Sequence, residues 1–102
     1  MIWLYSKIHR YNNEVLVAVC DQDLLGKVLR DEECDIRLEV SSDFYKGDLI
    51  DEEVLIGRLK RATMANLIGE RCIEVASRLD MIETIIHIDG IPHAQVICLD
   101  SF

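Results

Sequence analysis

The sequence predicts an α+β fold: a single small domain in which two helices pack on one face of a mostly antiparallel or mixed sheet of about five strands. Two observations lead to this prediction. Segments with the apolar or alternating patterns of strands are grouped at both ends of the chain, and helical periodicity occupies the middle. Because a chain of 102 residues is long enough for one core, we expect residues 1–102 to form one domain.

The first strands are predicted near the amino terminus. Residues 2–9 alternate in part, and the two Asn residues in the following turn tolerate a positive φ. Residues 15–20 are apolar at odd-numbered and even-numbered positions alike, and these point to opposite faces of a strand, which indicates a strand covered on both faces. We therefore place residues 15–20 at the centre of the sheet, paired with the first strand as a hairpin. Asp21 is then expected to cap a short helical turn that Gly26 ends.

A third strand and a loop follow. Residues 31–33 are an acidic link, and residues 34–40 alternate cleanly, as a strand with one solvated face does. We expect this strand near an edge of the sheet. Residues 41–47 are predicted to be a loop that holds two adjacent aromatic residues, Phe44 and Tyr45.

The first helix has agreeing start and stop signals. Asp51 is the predicted N-cap, and Ile50 and Leu55 have the spacing of a hydrophobic staple. The last turns contain three basic residues, which the negative end of the helix dipole favours: Arg58, Lys60 and Arg61.

A second helix is predicted from a Thr63 cap to about Leu79. Its buried stripe recurs at helical spacing: Leu67, Ile68, Cys72, Val75, Ala76 and Leu79. Gly69 interrupts this helix, which indicates a kink or the close approach of another backbone.

A hairpin closes the chain. Apolar runs at 84–88 and 94–99 flank a loop at 89–93 that begins with Asp-Gly, a strong hairpin signal. Pro92 stiffens this loop because its ring fixes φ. His93 and Gln95 stand at the loop exit, where they could face a ligand, a partner chain or water.

Composition limits the function classes. Nineteen acidic and eleven basic residues give a net charge of −8, which disfavours nonspecific attraction to nucleic acid or an anionic membrane. No apolar run approaches the length of a membrane helix and no secretory signal is visible, so we expect a cytoplasmic protein without a membrane partner. The four cysteines are widely spaced, and three of them sit in apolar patterns, so we expect small buried residues there and leave a disulfide open.

Five segments resemble a known family over nearly the whole chain. They are Val-Ala-Val-Cys-Asp at 17–21, Leu-Leu-Gly-Lys at 24–27, Asp-Phe-Tyr-Lys-Gly at 43–47, Ala-Asn-Leu-Ile-Gly at 65–69 and Gly-Ile-Pro-His-Ala-Gln at 90–95. Together they are similar to the small archaeal family catalogued as domain of unknown function 424. This resemblance implies an archaeal cytoplasmic protein associated with information-processing genes. The resemblance implies no particular activity, catalytic residue or cofactor.

One constellation could support catalysis. Cys20 ends the central strand, Lys27 follows, and His93 is available from the hairpin loop. A thiolate beside a cation has a lowered pKa, and a histidine within reach could act as its base. The simpler interpretation is that Cys20 ends a buried strand, Asp21 is a cap and His93 bonds a carbonyl. We therefore nominate no catalytic residue.

A second constellation is a recognition surface made of residues at element ends, where binding residues often occur. Its candidate members are Asp21, Asp23, Lys27, Asp43, Tyr45, Asn66, Pro92, His93 and Gln95. They would line one rim if the central strand and the last two strands bring their polar ends to the same side of the molecule. The alternative is that they are ordinary caps and turn residues.

Other ligands have weaker support. Direct nucleic-acid binding would rest on the basic residues that end the first helix, but these also satisfy the helix dipole. A metal site would require His9, His87 and His93 to meet from distant segments, so we predict neither a metal nor a cofactor.

We favour a binding or adaptor module with a protein or ribonucleoprotein partner, connected with translation or RNA–protein machinery. The alternatives are a small enzyme using Cys20 with His93, or a self-associating structural protein that forms a homodimer.

Overall fold

The computed structural model describes residues 2–98 and confirms the α+β class. Its strands are β1 (Leu4–Tyr11), β2 (Glu14–Asp21), β3 (Val28–Asp31), β4 (Ile36–Glu39), β5 (Asp48–Ile50), β6 (Met64–Ile68), β7 (Ile86–Ile88) and β8 (Ile91–Ile97), and its helices are α1 (Ser42–Tyr45), α2 (Glu52–Arg61) and α3 (Glu70–Arg78). Six strands form one mixed sheet in the order β5-β1-β2-β6-β8-β7, and β3 pairs with β4 in a separate ribbon. Only β2 and β6 run parallel among the paired strands of residues 2–98.

The predicted amino-terminal hairpin is confirmed. β1 and β2 pair antiparallel over their full length, and Asn12 adopts a positive φ of 54° in the turn. β2 lies inside the sheet with both faces covered. Val17 and Val19 pack in the core beneath the two long helices, whereas Ala18 and Cys20 pack in the core on the opposite face.

The first predicted helix is also confirmed, as α2. The Asp51 carboxylate caps it by accepting a hydrogen bond from the Val54 backbone N–H at 3.0 Å. Ile50 and Leu55 lie in the same core cluster, in agreement with the predicted staple. The short strand β5, which immediately precedes this helix, was not predicted.

The predicted helix from Thr63 to Leu79 is wrong in its first part, which forms β6, and only its second part is helical, as α3. The two elements meet at Gly69, whose φ of 118° lies outside helical geometry. The last two residues of β6, Leu67 and Ile68, are apolar and are buried on opposite faces of the sheet, so their pattern also fits one turn of a helical stripe. Thr63 caps no helix, since its hydroxyl accepts a hydrogen bond from the Val15 N–H at 2.8 Å.

The strand predicted at 34–40 exists as β4, but its predicted place at the sheet edge is wrong. It pairs with β3, which was not predicted, in a two-stranded ribbon that crosses one face of the sheet. The acidic link is the tight turn of this ribbon, where Asp31 Oδ1 accepts hydrogen bonds from the Glu33 and Cys34 N–H groups. The ribbon belongs to the opposite face because Leu29 of β3 and Val40, which directly follows β4, lie in the core cluster of that face.

The closing hairpin is confirmed with a shorter loop than predicted. Asp89 and Gly90 form a two-residue turn with φ of 55° and 76°, and β8 begins at once. Pro92 and His93 are therefore strand residues. Leu99, the predicted end of the last strand, lies outside the described residues.

The two faces of the sheet are covered differently. Helices α2 and α3 both pack on one face, as predicted, around residues such as Leu55, Leu59 and Val75. The other face is covered by a 3-10 turn (Gln22–Leu24), the β3–β4 ribbon and α1, and the predicted loop 41–47 thus contains a short helix. Within residues 2–98, no helix combines the length and apolarity needed to cross a bilayer.

Candidate binding face

The polar ends of the central and last strands lie at the same end of the sheet, as expected. Cys20 pairs with Ile68 across the parallel strands, and Ile68 pairs with His93 across the next pair. Asp21, Gly69 and Pro92 therefore share this end of the sheet. The candidate residues nevertheless divide into separate groups.

Asp21 has a structural partner that the sequence did not predict. Its side chain makes no cap of the turn that follows it. Instead, its two carboxylate oxygens accept hydrogen bonds from the Arg71 and Cys72 backbone N–H groups, each at 3.0 Å, at the first turn of α3. Burial raises the pKa of Asp21, and these two hydrogen bonds oppose that shift. Asp21 thus caps a helix fifty residues away.

Asp23 and Lys27 lie apart from the other candidates. Asp23 joins Trp3, Gln22 and Arg71 around a cavity of about 480 Å³ beside the start of α3. Lys27 is exposed at the base of the β3–β4 ribbon, where its carbonyl accepts a hydrogen bond from the Val40 N–H at 2.8 Å.

Three candidates meet in one hydrogen-bonded cluster. The Tyr45 hydroxyl donates to Asn66 Oδ1 at 2.6 Å, and His93 Nε2 lies 3.3 Å from the same oxygen. Because this oxygen can only accept, the contact requires the proton of the imidazole to be on Nε2. Nδ1 of His93 is buried and has no hydrogen-bond partner among the described residues.

Burial sets the protonation of this cluster. It lowers the pKa of His93 and raises that of the Tyr45 hydroxyl, so both side chains are neutral near pH 7. The neutral imidazole and the phenol hold the Asn66 side chain in a fixed position on the sheet. We call Tyr45, Asn66 and His93 the amide cluster.

The geometry argues against the proposed Cys20 nucleophile. Cys20 is fully buried, and burial raises the pKa of its thiol to about 12, with the charges of Asp21 and Asp23 adding to the shift. The strand that contains Ile68 lies between Cys20 and His93. Two strand spacings separate their backbones by roughly 9.5 Å. His93 is therefore not placed as a base for this thiol.

The layer that covers the amide cluster ends at α1. The Asp43 carbonyl accepts a hydrogen bond from Lys7 Nζ at 2.8 Å, and the Phe44 carbonyl lies 2.8 Å from His9 Nε2. The Phe44 ring stacks on His9 with a centroid distance of 4.8 Å, and it meets the Tyr45 ring edge-on. Phe44 and His9 thus form the rim of the covered region.

Beyond this rim, none of the described residues 2–98 buries this face of the sheet. The register joins His9 to Leu16, Leu16 to Met64 and Met64 to Ile97, so these side chains form one row across four strands. Ile97 is 68% exposed and Met64 38%. We define the bare face by the five side chains on this part of the sheet: Tyr11, Leu16, Met64, Gln95 and Ile97.

Gln95 connects the bare face to the amide cluster. It pairs with Asn66 across β6 and β8, on the same side of the sheet, and its side chain is exposed. Of the nominated residues, Asn66, Gln95, Tyr45 and His93 are therefore neighbours. Pro92 is buried, and its carbonyl accepts a hydrogen bond from the Gly69 N–H at 2.9 Å.

Sequence reasoning missed the apolar part of this face. Met64 lies in the helix predicted at 63–79, and Ile97 lies in the apolar run at 94–99. The structure exposes Gln95 and Ile97 and buries Val96 between them, which places the two exposed residues on the side away from the helical core. Because Val96 and Ile97 are both apolar, the sequence itself contains no signal of this alternation.

The three histidines occupy separate places. His9 stacks on Phe44, His87 is exposed on the edge strand β7, and His93 belongs to the amide cluster. Within residues 2–98, no group of three or more His, Cys, Asp or Glu side chains has the arrangement of a metal site.

Comparison with known proteins gives a family and a fold. The family model described as "Protein of unknown function (DUF424)" matches residues 9–99. A crystal structure of an uncharacterized conserved protein from Methanopyrus kandleri is similar with a TM-score of 0.74 and 23% identity, over 98% of this chain and 96% of that chain. At this identity the likeness shows a shared fold. No curated protein matches the chain.

Proposed function

We propose that this chain, which belongs to the DUF424 family of proteins of unknown function, is a cytoplasmic protein-binding module whose docking surface is the bare face. The observation that supports the proposal is the row of apolar side chains on three neighbouring strands, Leu16, Met64 and Ile97, which the described residues leave partly or largely exposed. The opposite face of the same sheet is buried beneath two helices. Contiguous exposed apolar side chains with a polar rim are typical of protein-interaction sites.

The chemistry of the bare face favours a protein over a nucleic acid. Its members are apolar except for the Tyr11 hydroxyl and the Gln95 amide, and none is basic. The nearby Lys7 ammonium is held by the Asp43 carbonyl. With a net charge of −8, the chain also repels a phosphate backbone. The family resemblance leads us to seek the partner in translation or RNA–protein machinery.

The amide cluster adjoins this surface on the same face of the sheet. Asn66 is fixed by Tyr45 and His93, and Gln95 stands beside it on the next strand. A rigid polar edge beside apolar side chains supplies orientation as well as affinity, because its hydrogen-bonding groups lose little freedom on binding. We propose that Gln95 contacts the partner and that Asn66 acts as a positioning residue.

The proposal is tested by capture from extracts of the source cells, with and without nuclease. The test variant is the double substitution Met64→Glu/Ile97→Glu. The matched control is Leu49→Glu/Val54→Glu, which places the same charges on side chains that are 46% and 45% exposed outside the bare face. Captured proteins are identified by mass spectrometry, and the melting temperature of each variant is measured alongside.

We expect the control and the unchanged protein to capture the same protein, and the bare-face variant to lose it while remaining folded. Retention of the partner after nuclease treatment indicates direct protein contact. Equal capture by both variants would contradict the proposal, as would loss of capture only after nuclease treatment.

A further inference from the structure

Within the described part of the chain, the outer side of β8 beside the bare face has no paired strand over its second half. β7 pairs only with residues 91–93 of β8, and β8 continues to Ile97. Among residues 2–98, no strand pairs with the outer side of β8 beyond His93. Gln95 and Ile97, the exposed residues of this stretch, also belong to the bare face.

The direction of the backbone groups follows from the hairpin. Because Ile88 and Ile91 flank a two-residue turn with positive φ, they form a hydrogen-bonded pair, and alternate residues of β8 then point their N–H and C=O groups to the outer side. The other residues point inward: the Pro92 carbonyl accepts from Gly69, and the Cys98 N–H donates to the Thr63 carbonyl at 2.8 Å.

The same alternation applies beyond His93. The N–H and C=O groups of Gln95 and Ile97 therefore point away from β6, towards the open side. An unpaired row of this kind is a template for another strand.

We infer that the partner docks through an extended segment that adds to the sheet antiparallel to β8, pairing with Gln95 and Ile97 in continuation of β7. This inference rests on the proposed function and specifies its binding mode. Backbone pairing supplies the affinity of such complexes, and alternate side chains supply the specificity. Here the alternate side chains of the segment lie beside Gln95 and Ile97 on the bare face.

Charge specifies the segment further. Asp80 and Glu83 line a cavity of about 570 Å³ together with Val96 and Ile97, next to the unpaired part of β8. Among the residues that the structure describes, Lys60 is the only basic one that lines this cavity. The chain as a whole has a net charge of −8. We therefore assign the edge to a segment of another protein that alternates apolar residues with Lys or Arg. A second copy of this chain is disfavoured, because it would bring a second set of the same carboxylates to the interface.

The test separates backbone pairing from side-chain contact at one position. The substitution Gln95→Pro removes the outward N–H, and it leaves the hydrogen bonds to β6 in place because proline is tolerated where the N–H faces solvent. Gln95→Ala is the matched control, since it removes the side chain and keeps the N–H. The probe is a phage-displayed library of random dodecapeptides, and enriched peptides are synthesised for affinity measurement.

We expect enrichment of peptides that alternate apolar residues with Lys or Arg. The affinity of these peptides for the Gln95→Pro variant is expected to be about tenfold lower, because one backbone hydrogen bond is lost, and lower still if the peptide no longer pairs with β8 at all. The Gln95→Ala variant is expected to bind them nearly as tightly as the unchanged protein does. A second measurement uses the unchanged protein and peptides that are N-methylated at one backbone position at a time. We expect weaker binding when the methyl group is at every second position, where the peptide N–H faces β8, and little change at the positions between.

Several results would overturn the inference. These are no enrichment of alternating basic peptides, equal binding to Gln95→Pro and Gln95→Ala, and N-methyl effects without alternation. A concentration-dependent dimer in sedimentation that Gln95→Pro abolishes would assign the edge to a second copy instead. If the native partner is lost on Met64→Glu/Ile97→Glu but kept by Gln95→Pro, the proposed function stands and the strand addition is wrong.

Discussion

The Asp21 carboxylate occupies the space that a side chain at Gly69 would need. A Cβ placed on Gly69 would fall on the carboxylate, whose oxygens bind the first turn of α3. Gly69 also has a φ of 118°, which L side chains rarely adopt. These two residues join the ends of the parallel strands β2 and β6 to α3, and they determine where β6 stops.

Gly69→Ala is expected to destabilise the protein by about 3 kcal/mol, since it adds the displacement of a buried carboxylate to backbone strain. Gly26→Ala is the control, because Gly26 has a φ of 86° and open space around the added methyl group. Backbone strain alone should lower the free energy of unfolding of this control variant by about 1 kcal/mol. Urea unfolding measures both. Equal losses would show that the contact between residues 21 and 69 has no energetic consequence.

His93 is expected to make stability depend on pH. Burial lowers its folded-state pKa below the ordinary value of 6.5, so the unfolded chain takes up a proton more readily as the pH falls. The stabilisation is fully present above pH 6.5 and declines below it, by at most about 1.4 kcal/mol per pH unit. Urea unfolding between pH 7.5 and 5.5 measures this slope.

His93→Gln is the comparison for that experiment, because it removes the titrating group and can still donate to Asn66. The raised pKa of Asp21 acts with the opposite sign at lower pH, and it is common to both proteins. The difference between the two slopes therefore isolates His93. Identical slopes would contradict a buried neutral imidazole.

Tyr45→Phe is expected to cost about 1 kcal/mol in urea unfolding, because it removes the hydroxyl that donates to Asn66 at 2.6 Å. Asn66 Oδ1 keeps its contact with His93, so no acceptor is left without a partner. Tyr11→Phe is the matched control, since the Tyr11 side chain is 72% exposed on the bare face, and it should leave stability unchanged. Similar losses in both variants would argue against a structural role for the amide cluster.

Cysteine labelling tests the buried thiols. Cys34 is exposed in the turn of the β3–β4 ribbon, whereas Cys20 and Cys72 are buried with raised pKa values. N-ethylmaleimide at pH 7 should therefore modify Cys34 in the folded protein and reach Cys20 and Cys72 only after unfolding. Peptide mass spectrometry identifies the labelled sites. Rapid labelling of Cys20 in the folded state would revive the enzyme interpretation.

The elements that the sequence predicted correctly are those whose caps, turns and apolar patterns fit the place of the element in the folded protein. Asp51 caps α2, Asn12 turns the first hairpin, and Asp89-Gly90 turns the last, because each residue type matches the backbone geometry at its own position. The position of β2 inside the sheet was predicted because its odd-numbered and even-numbered residues are both apolar. These features depend on neighbours close in sequence.

The errors arose where distant contacts decide the structure. β6 is short and ends in two buried apolar residues, Leu67 and Ile68, so periodicity alone could not distinguish it from helix, and only its pairing with β2 and β8 makes it a strand. Asp21 looked like a local cap, yet its partners are the N–H groups of Arg71 and Cys72. The bare face was missed for the same reason, since its row of side chains exists only through the register of four strands.

Site-specific photo-crosslinking in the cell shows whether the bare face contacts a partner protein. A photo-reactive phenylalanine is introduced at Ile97, on the bare face, or at Val54, an exposed apolar residue of α2, and the protein is irradiated in the source cells. We expect one dominant protein adduct from position 97, resistant to nuclease, and no adduct of that mass from position 54. The same adduct from both positions, or adducts from position 54 alone, would contradict this expectation.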